Sequence, residues 1–186
     1  MKAIDAAEWF LSKEPMTHGR LQCLLYLAYK EYLYGWNGDI DEIKNILFDE
    51  KPYAWWYGPT FQSVFQKYSD YHFQDKKIPK IEKAPSLPIP LDYMFSKVWE
   101  KTCNCTDDSL AYAVAQEAPY RVARHKDPET PMDDKSIYLY AETTSLFDDG
   151  FFDDEATYYD GGMIVRIYNV RITDVFEPKR QGGSSY

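Results

Sequence analysis

The stretch LQCLLYLAYKEYLYG, residues 21–35, places the tightest limit on what this chain can become. Leu21, Leu24, Leu25, Ala28 and Tyr32 recur at i, i+3, i+4, i+7 and i+11. That is the period of one helix face, so the run predicts a long amphipathic helix that must bury its stripe. Thr17 can cap it by accepting an orphan amide of the first turn, and Gly35 with the WNGD turn closes it. Cys23 falls on the apolar face and reads as core. Upstream, AIDAAEWFLS (3–12) sets Ile4, Ala7, Phe10 and Leu11 at the same spacing, and Pro15 ends that segment. Two helices joined by a short turn are the minimum expectation.

Further along, Ile40, Ile43, Ile46 and Leu47 predict a short helix over 39–48. KKIPKIEKAPSLPIP (76–90) is a proline-rich connecting loop. Leu91, Phe95, Val98 and Trp99 mark a helix over 91–102. A further helix starts at the Thr106 cap, runs through Leu110, Ala113, Val114 and Glu117, and ends before EAPYR. Its acidic first turn suits the helix dipole. HKDPETPMDD (125–134) reads as a polar loop. SIYLYAE then fits either a helix capped by Asp133 or Asp134, or a strand. The final forty residues change character. SLFDDGFFDDEATYYDGG (145–162) alternates acids with paired aromatics, and GMIVRIYNVRITDVFEP (162–178) carries the clearest strand signal. The expected fold is mainly α (α+β). A compact multi-helix domain covers 1–144, and an acidic, aromatic tail over 145–186 brings one or two β-strands packed on it.

AWWYGP, residues 54–59, puts two tryptophans and a tyrosine before Gly-Pro. Pro59 suits the first turn of a new helix, where its missing amide hydrogen matters least, and Gly58 permits a sharp turn before it. Phe61, Val64, Phe65 and Tyr68 would form that helix's apolar stripe. On this reading AWWY is an extended lead-in whose rings are mostly buried, each removing roughly 150–250 Å² from water. A ligand platform and an anchor for another protein are the alternatives.

Composition narrows the function classes. A chain of 186 residues can bury a core without staples, and its length suits one domain. The formal net charge of −9 argues against general nucleic-acid binding, which needs a basic surface. The basic KKIPKIEK (76–83) is interrupted by a proline and an acid and reads as a solvated loop. Three cysteines imply no disulfide framework. Nothing approaches the about 18 uninterrupted apolar residues of a membrane span. The start carries Asp5 and Glu8 inside its apolar region and so reads as a first helix, with the cytosol as expected compartment.

A search for chemistry assigns no catalytic, cofactor-binding or metal-ligating residue. His18, His72 and His125 lie in separate segments, and Cys103 and Cys105 have no companions to complete a zinc site. Nucleophile-elbow, phosphate-loop and zinc-protease motifs are lacking. The carboxylates of DDGFFDDE do not follow the calcium-loop spacing, because Phe151 and Phe152 occupy positions where ligands or the turn glycine belong. An enzyme is thus the weaker class.

Three ordered blocks carry a resemblance: AIDAAEWFLS, then LQCLLYLAYKEYLYG, then AWWYGPTFQSVFQKY. In this order the chain resembles the Panacea antitoxin-domain family. The matching positions are Ala3 to Leu11, Leu21 to Ala28 and Ala54 to Tyr68, with Leu110 through Pro119 and Tyr120 as a later counterpart. Cys23 stands where the family usually has lysine and Thr60 where it has valine, and the later histidine motif is missing. The likeness spans roughly residues 3–140 and leaves the tail outside. It implies a mostly helical antitoxin that neutralises a cognate protein toxin by direct contact, without cofactor or metal. For one member it implies a protease-adaptor role, delivering the toxin for degradation.

The interface residues expected on this basis are Trp55, Trp56, Tyr57, Tyr120, Phe147, Asp148, Asp149, Phe151, Phe152, Tyr158 and Tyr159, with Gly58 and Pro59 as structural motif residues. The tail would choose the partner, while Trp55, Trp56 and Pro59 mainly maintain the fold. Removing everything after about residue 144 would then abolish neutralisation and leave the helical domain folded. Two other classes stay open. One is an acidic decoy of a mobile element that occupies a nucleic-acid-binding surface of its target. The other is a small enzyme with a pocket near the WWYGP turn.

Overall fold

A computed structural model describes residues 1–71, 76–127 and 130–147 in full, and the backbone of 156–160 and 163–167. Among these the chain forms seven α-helices and two small antiparallel hairpins. The helices are α1 (Ala3–Leu11), α2 (His18–Trp36), α3 (Gln62–Lys67), α4 (Ile89–Thr102), α5 (Asp107–Gln116), α6 (Ala118–Lys126) and α7 (Asp134–Thr144). Strands β1 (Tyr53–Trp55) and β2 (Gly58–Thr60) make the first hairpin. Strands β3 (Ala156–Asp160) and β4 (Met163–Ile167) make the second.

The predicted long helix becomes the axis of the fold. Thr17 caps α2 as expected, accepting the Arg20 amide at 3.2 Å. Its burial goes well beyond one stripe. Only Gly19, Tyr32 and Tyr34 escape it, because α1, α4, α5, α7 and β2 all pack around it. An enclosed helix has to satisfy every polar group it carries. Arg20, Gln22, Tyr26, Tyr29, Lys30 and Glu31 of α2 do so by bonding to other elements.

Arg20 reaches the α4–α5 junction. It donates to the carbonyls of Cys105 at 2.7 Å and Thr102 at 3.0 Å, and to Asp107 at 3.2 Å. The Thr102 carbonyl is the last of α4, where the helix itself supplies no donor. Gln22 exchanges two bonds with the Phe61 backbone, accepting at 2.8 Å and donating at 3.2 Å. Tyr29 donates to Asp134 at 2.8 Å at the start of α7, where Lys51 also pairs with that carboxylate at 2.5 Å. Lys30 Nζ lies 2.6 Å from Glu117 Oε1, and the Tyr26 hydroxyl donates to Glu117 Oε2 at 2.7 Å.

Apolar packing fills the space between these ties. Trp9, Phe10 and Phe95 join α1 to α4, with centroids 5.2–5.5 Å apart. Trp9 Nε1–H also finds Asp92 at 2.7 Å. Tyr29, Phe48 and Phe61 form a second cluster, with spacings of 5.0–5.8 Å.

Three expectations need correction. The helix over 39–48 reduces to a single 3-10 turn, Ile40–Glu42. The Asn37 side chain captures the amides of Lys44 and Asn45 at 3.0 and 2.9 Å, which a helix would have used internally. Pro59 does not open a helix. It lies in β2 opposite Ala54, and α3 starts three residues later, at Gln62. A two-residue loop makes Trp55 and Gly58 the closing bonded pair, so the next pair is non-bonded and the missing proline amide leaves no gap in the ladder. Gly58 takes the reversal at φ +124°, a conformation that side-chain-bearing residues rarely adopt.

The third correction concerns EAPYRVARHK, which is not all connection. Glu117, in extended geometry, ends α5 and caps α6, with Pro119 in the first turn of the new helix. SIYLYAE, left open between helix and strand, is helical. Asp133 caps it by accepting the Ser136 amide at 3.0 Å.

The Lys30–Glu117 pair carries a direct test. Glu117→Ala leaves a buried ammonium without its carboxylate and Tyr26 without its acceptor, so stability should fall by about 3–5 kcal/mol in urea unfolding. Lys30→Met combined with Glu117→Leu should recover more than half of that loss. Strictly additive losses would show that the two groups do not act as a pair.

Candidate protein-binding surface

The β1–β2 hairpin is held from several directions. Ala54 and Pro59 are buried, and Gln22 fixes Phe61 just beyond β2. On the other side Tyr53 bridges Pro131, and the Met132 amide donates to the Pro52 carbonyl at 2.8 Å. Trp55 is half-buried, edge-on to Phe65 at 5.0 Å, and its carbonyl accepts from the Tyr120 hydroxyl at 2.6 Å. Burial pushes the Tyr120 phenol above its ordinary range, so it remains a donor there.

The loop at the tip is the opposite case. Trp56 is 81% exposed and Tyr57 is 75% exposed. The expected burial of AWWY thus holds for Ala54, in part for Trp55, and fails for the next two rings. A two-residue loop joining paired strands points its side chains away from the body that anchors the strands. The Trp56 ring is not bare on both faces, since the Arg124 guanidinium lies 3.9 Å from its centroid, a cation–π arrangement linking the tip to α6.

Beyond the tip lies a surface that the sequence reading did not identify. Ala118, Arg121, Val122 and His125 stand at i, i+3, i+4 and i+7 on α6, and Ser136, Leu139, Tyr140 and Thr143 repeat that spacing on α7. Ala118, Pro119 and Val122 of α6 meet the α7 row across a depression of about 360 Å³, a second of about 260 Å³ runs from Pro119, Val122 and Lys126 to Asp133 and Ser136, and a third of about 450 Å³ is lined by Ala118, Arg121, Val122, His125 and Lys126 of α6 alone. Val122 and Leu139 are each 51% exposed. In a chain of net charge −9, α6 carries Arg121, Arg124, His125 and Lys126 and no acid. Part of that bias suits the C-terminal end of a helix dipole, but Arg121 lies outside the last turn. The amphipathic spacing in APYRVARHK was the available signal, hidden by reading Pro119 as a stop.

Of the other expected interface residues, Tyr120 is buried beneath the hairpin. Phe147 is buried in the core, away from solvent. Asp148, Asp149, Phe151 and Phe152 lie outside the described residues. Tyr158 and Tyr159 belong to β3, where their backbones pair with Val165 and Ile164. The geometry therefore gathers Trp55, Trp56, Tyr57 and Tyr120 at one place and puts Phe147 elsewhere. Cys23 is buried with its thiol pushed up to about 12, chiefly by desolvation, so it is a poor nucleophile. Cys103 and Cys105 sit at the α4–α5 junction, where their carbonyls face Arg20.

Phe147 follows a short segment fastened to α2. Glu31 accepts the Ser145 hydroxyl at 2.5 Å and the Leu146 amide at 3.0 Å. Burial holds the Glu31 carboxyl above its ordinary range, against the opposing pull of the Leu146 amide, the Ser145 hydroxyl and Lys30.

Compared with known proteins, the chain matches no family model, no curated protein and no solved structure.

Two outcomes follow from the Glu31 anchor. A chain ending at Thr144 loses both donors to Glu31 and the ring of Phe147, and should be at least ~3 kcal/mol less stable than one ending at Phe147. Equal urea midpoints would show the segment to be idle. The second outcome concerns pH. A carboxyl raised in the folded state takes up its proton more readily there than in the unfolded chain. Its contribution is full below the ordinary carboxylate range and is lost as pH rises through the elevated value. Glu31→Gln should remove that decline, so its stability relative to the parent rises as pH is raised above the ordinary carboxylate range. A relative stability that falls there would contradict the assignment.

Proposed function

We propose that this chain is a protein-binding antitoxin that neutralises a cognate protein toxin by direct contact. The observation that carries the reading is the pair Trp56 and Tyr57, two large rings held in water on a hairpin secured from both sides. Tryptophan, tyrosine and arginine dominate binding energy at interfaces, and Arg124 stands over Trp56. Covering rings of roughly 150–250 Å² each, at about 25 cal/mol per Å² of apolar surface, supplies several kcal/mol to an association. The three ordered blocks that resemble the Panacea antitoxin domain agree with this reading. Two of them, at 3–11 and 21–28, form the buried α1–α2 frame, while the third supplies the exposed tip.

Among the described residues, no helix is long and apolar enough to cross a membrane. The 19-residue α2 has the length but carries Arg20, Lys30 and Glu31.

Co-expression with each neighbouring reading frame tests the proposal. The expected result is a toxic neighbour whose growth arrest this chain relieves. Replacing Trp56 by alanine should weaken that complex by about 30-fold, equivalent to ~2 kcal/mol, with circular dichroism and thermal midpoint close to the parent's. Full affinity in the Trp56→Ala, Tyr57→Ala double variant would remove the tip from the interface. Rescue of no toxic neighbour, or a partner lost to competing DNA, would turn the reading away from a toxin-binding antitoxin.

A further inference from the structure

We infer that residues 81–90, which lead into α4, form a polyproline-type ridge that docks in an aromatic groove of a partner protein with carboxylates at one end. The inference goes beyond the antitoxin reading and uses no residue of the hairpin tip, α6 or α7. Ile81, Ala84, Leu87 and Pro90 are partly buried, as is Pro85, while Glu82, Lys83, Ser86, Pro88 and Ile89 are exposed. Every third residue from Ile81 thus turns inward, and Ile81, Ala84 and Leu87 pack against the core. An α-helix would repeat at about 3.6 residues and a strand at about 2. A period of about three belongs to the polyproline II helix. Pro88, with φ −54° and ψ 140°, has that conformation. No hydrogen bond from the described residues reaches 82–87, as suits a helix without internal bonds.

Both ends of the ridge are tied down. Ile78 exchanges two backbone bonds with Met16, at 2.8 and 3.3 Å, and the Ile81 amide donates to the Leu11 carbonyl at 3.1 Å. At the far end the Pro88 carbonyl accepts the Leu91 and Asp92 amides, each at 3.0 Å, and opens α4. The segment therefore meets a partner already ordered, and little conformational freedom is left to lose on binding.

Its chemistry selects the partner. Pro85 and Pro88 stand three residues apart, on one edge of the ridge and ~9 Å from each other. Aromatic-lined grooves recognise prolines at this spacing, and indole and phenol donors can reach carbonyls that carry no internal bond. Ser86 and Ile89, the latter 38% exposed, continue the outward surface. Lys76, Lys77, Lys80 and Lys83 precede the prolines, and Glu82 is the one acid within 76–90. Lys80 and Lys83 are exposed and make no ion pair among the described residues. The ridge is thus basic where it begins and neutral where it ends, so partner carboxylates belong beside the lysines. That asymmetry sets the direction in which the ridge lies in the groove.

A WW-type module, a small domain with an aromatic groove, serves as the probe when displayed with its groove positions randomised and selected on the full chain. Enriched clones should carry a pair of Trp or Tyr side chains with Asp or Glu at one end of the groove. Their affinity should fall at least about tenfold on Pro85→Ala with Pro88→Ala, and as much on Ser86→Asp with Ile89→Asp. Lys80→Glu with Lys83→Glu should weaken binding and remove most of its dependence on salt. Ser86, Ile89, Lys80 and Lys83 are exposed, and an acid in the first turn of α4 suits the helix dipole, so matching thermal midpoints are expected. If the proline pair lowers the midpoint, the Ser86 and Ile89 pair carries the test.

No enrichment, clones without the aromatic pair, or clones that bind the parent and both ridge variants alike overturn the inference. So does a short DNA duplex or an anionic phospholipid vesicle that binds the parent, displaces the clones and ignores the proline substitutions, since the lysines alone would then be the recognised feature.

Discussion

A helix enclosed on nearly every side must bring its polar groups into the core with partners, and α2 does this by making five of them fastenings. Arg20 holds the α4–α5 turn, Gln22 the chain leaving β2, Tyr29 the start of α7, Lys30 the α5–α6 corner, and Glu31 the segment after α7. Hydrophobic burial supplies the general drive to collapse, but it is non-directional and would accept many arrangements of seven short helices. Buried polar bonds are exacting in geometry, and leaving one unmade forfeits the desolvation energy of the group. In this fold they determine which helix meets α2 at which level.

The corner at Glu117 is the most consequential of these ties. Its backbone is extended between two helices, and its carboxylate is buried against Lys30 and Tyr26. The corner redirects the chain so that α6 runs beside both the hairpin and α7. From there Tyr120 reaches under Trp55, Arg124 over Trp56, and Val122 toward Leu139. A buried ion pair is seldom a strong source of stability when compared with a well-packed apolar pair. Its function at this position is orientation: the exposed face of α6 follows from where Glu117 is pinned.

What was legible in the sequence depended on whether the determining forces were local. The helical period of 21–35, the Thr17 and Thr106 caps and the helix over 91–102 were readable, because each is set by neighbours within a few turns. The failures share an opposite cause. Asn37 dissolves a predicted helix by reaching to Lys44 and Asn45. Pro59 enters a strand because Ala54 pairs across from it. Glu117 restarts a helix because Lys30 receives its side chain from 87 residues away. The aromatic run at 54–57 was visible, but which rings face water was not. Burial of Ala54 and exposure of Trp56 are decided by the hairpin turn and the body beneath it, not by hydropathy.

The proposed binding surface inherits its anchoring from this arrangement. An exposed tryptophan on a loose loop would lose much of its binding energy to the entropy of being ordered. Here the strands on either side of Trp56 and Tyr57 are paired with each other, bridged to Pro131 and fastened through Phe61 to α2. The α6–α7 groove is equally committed, since its two walls are anchored through Glu117 to Lys30 and through Asp134 to Tyr29. Tip and groove thus hang from one buried helix and meet at α6, where Arg124 faces the tip and Pro119 with Val122 faces the groove. A partner that touched both would find them already at fixed separation, so its contact energy would go into affinity and not into ordering this chain.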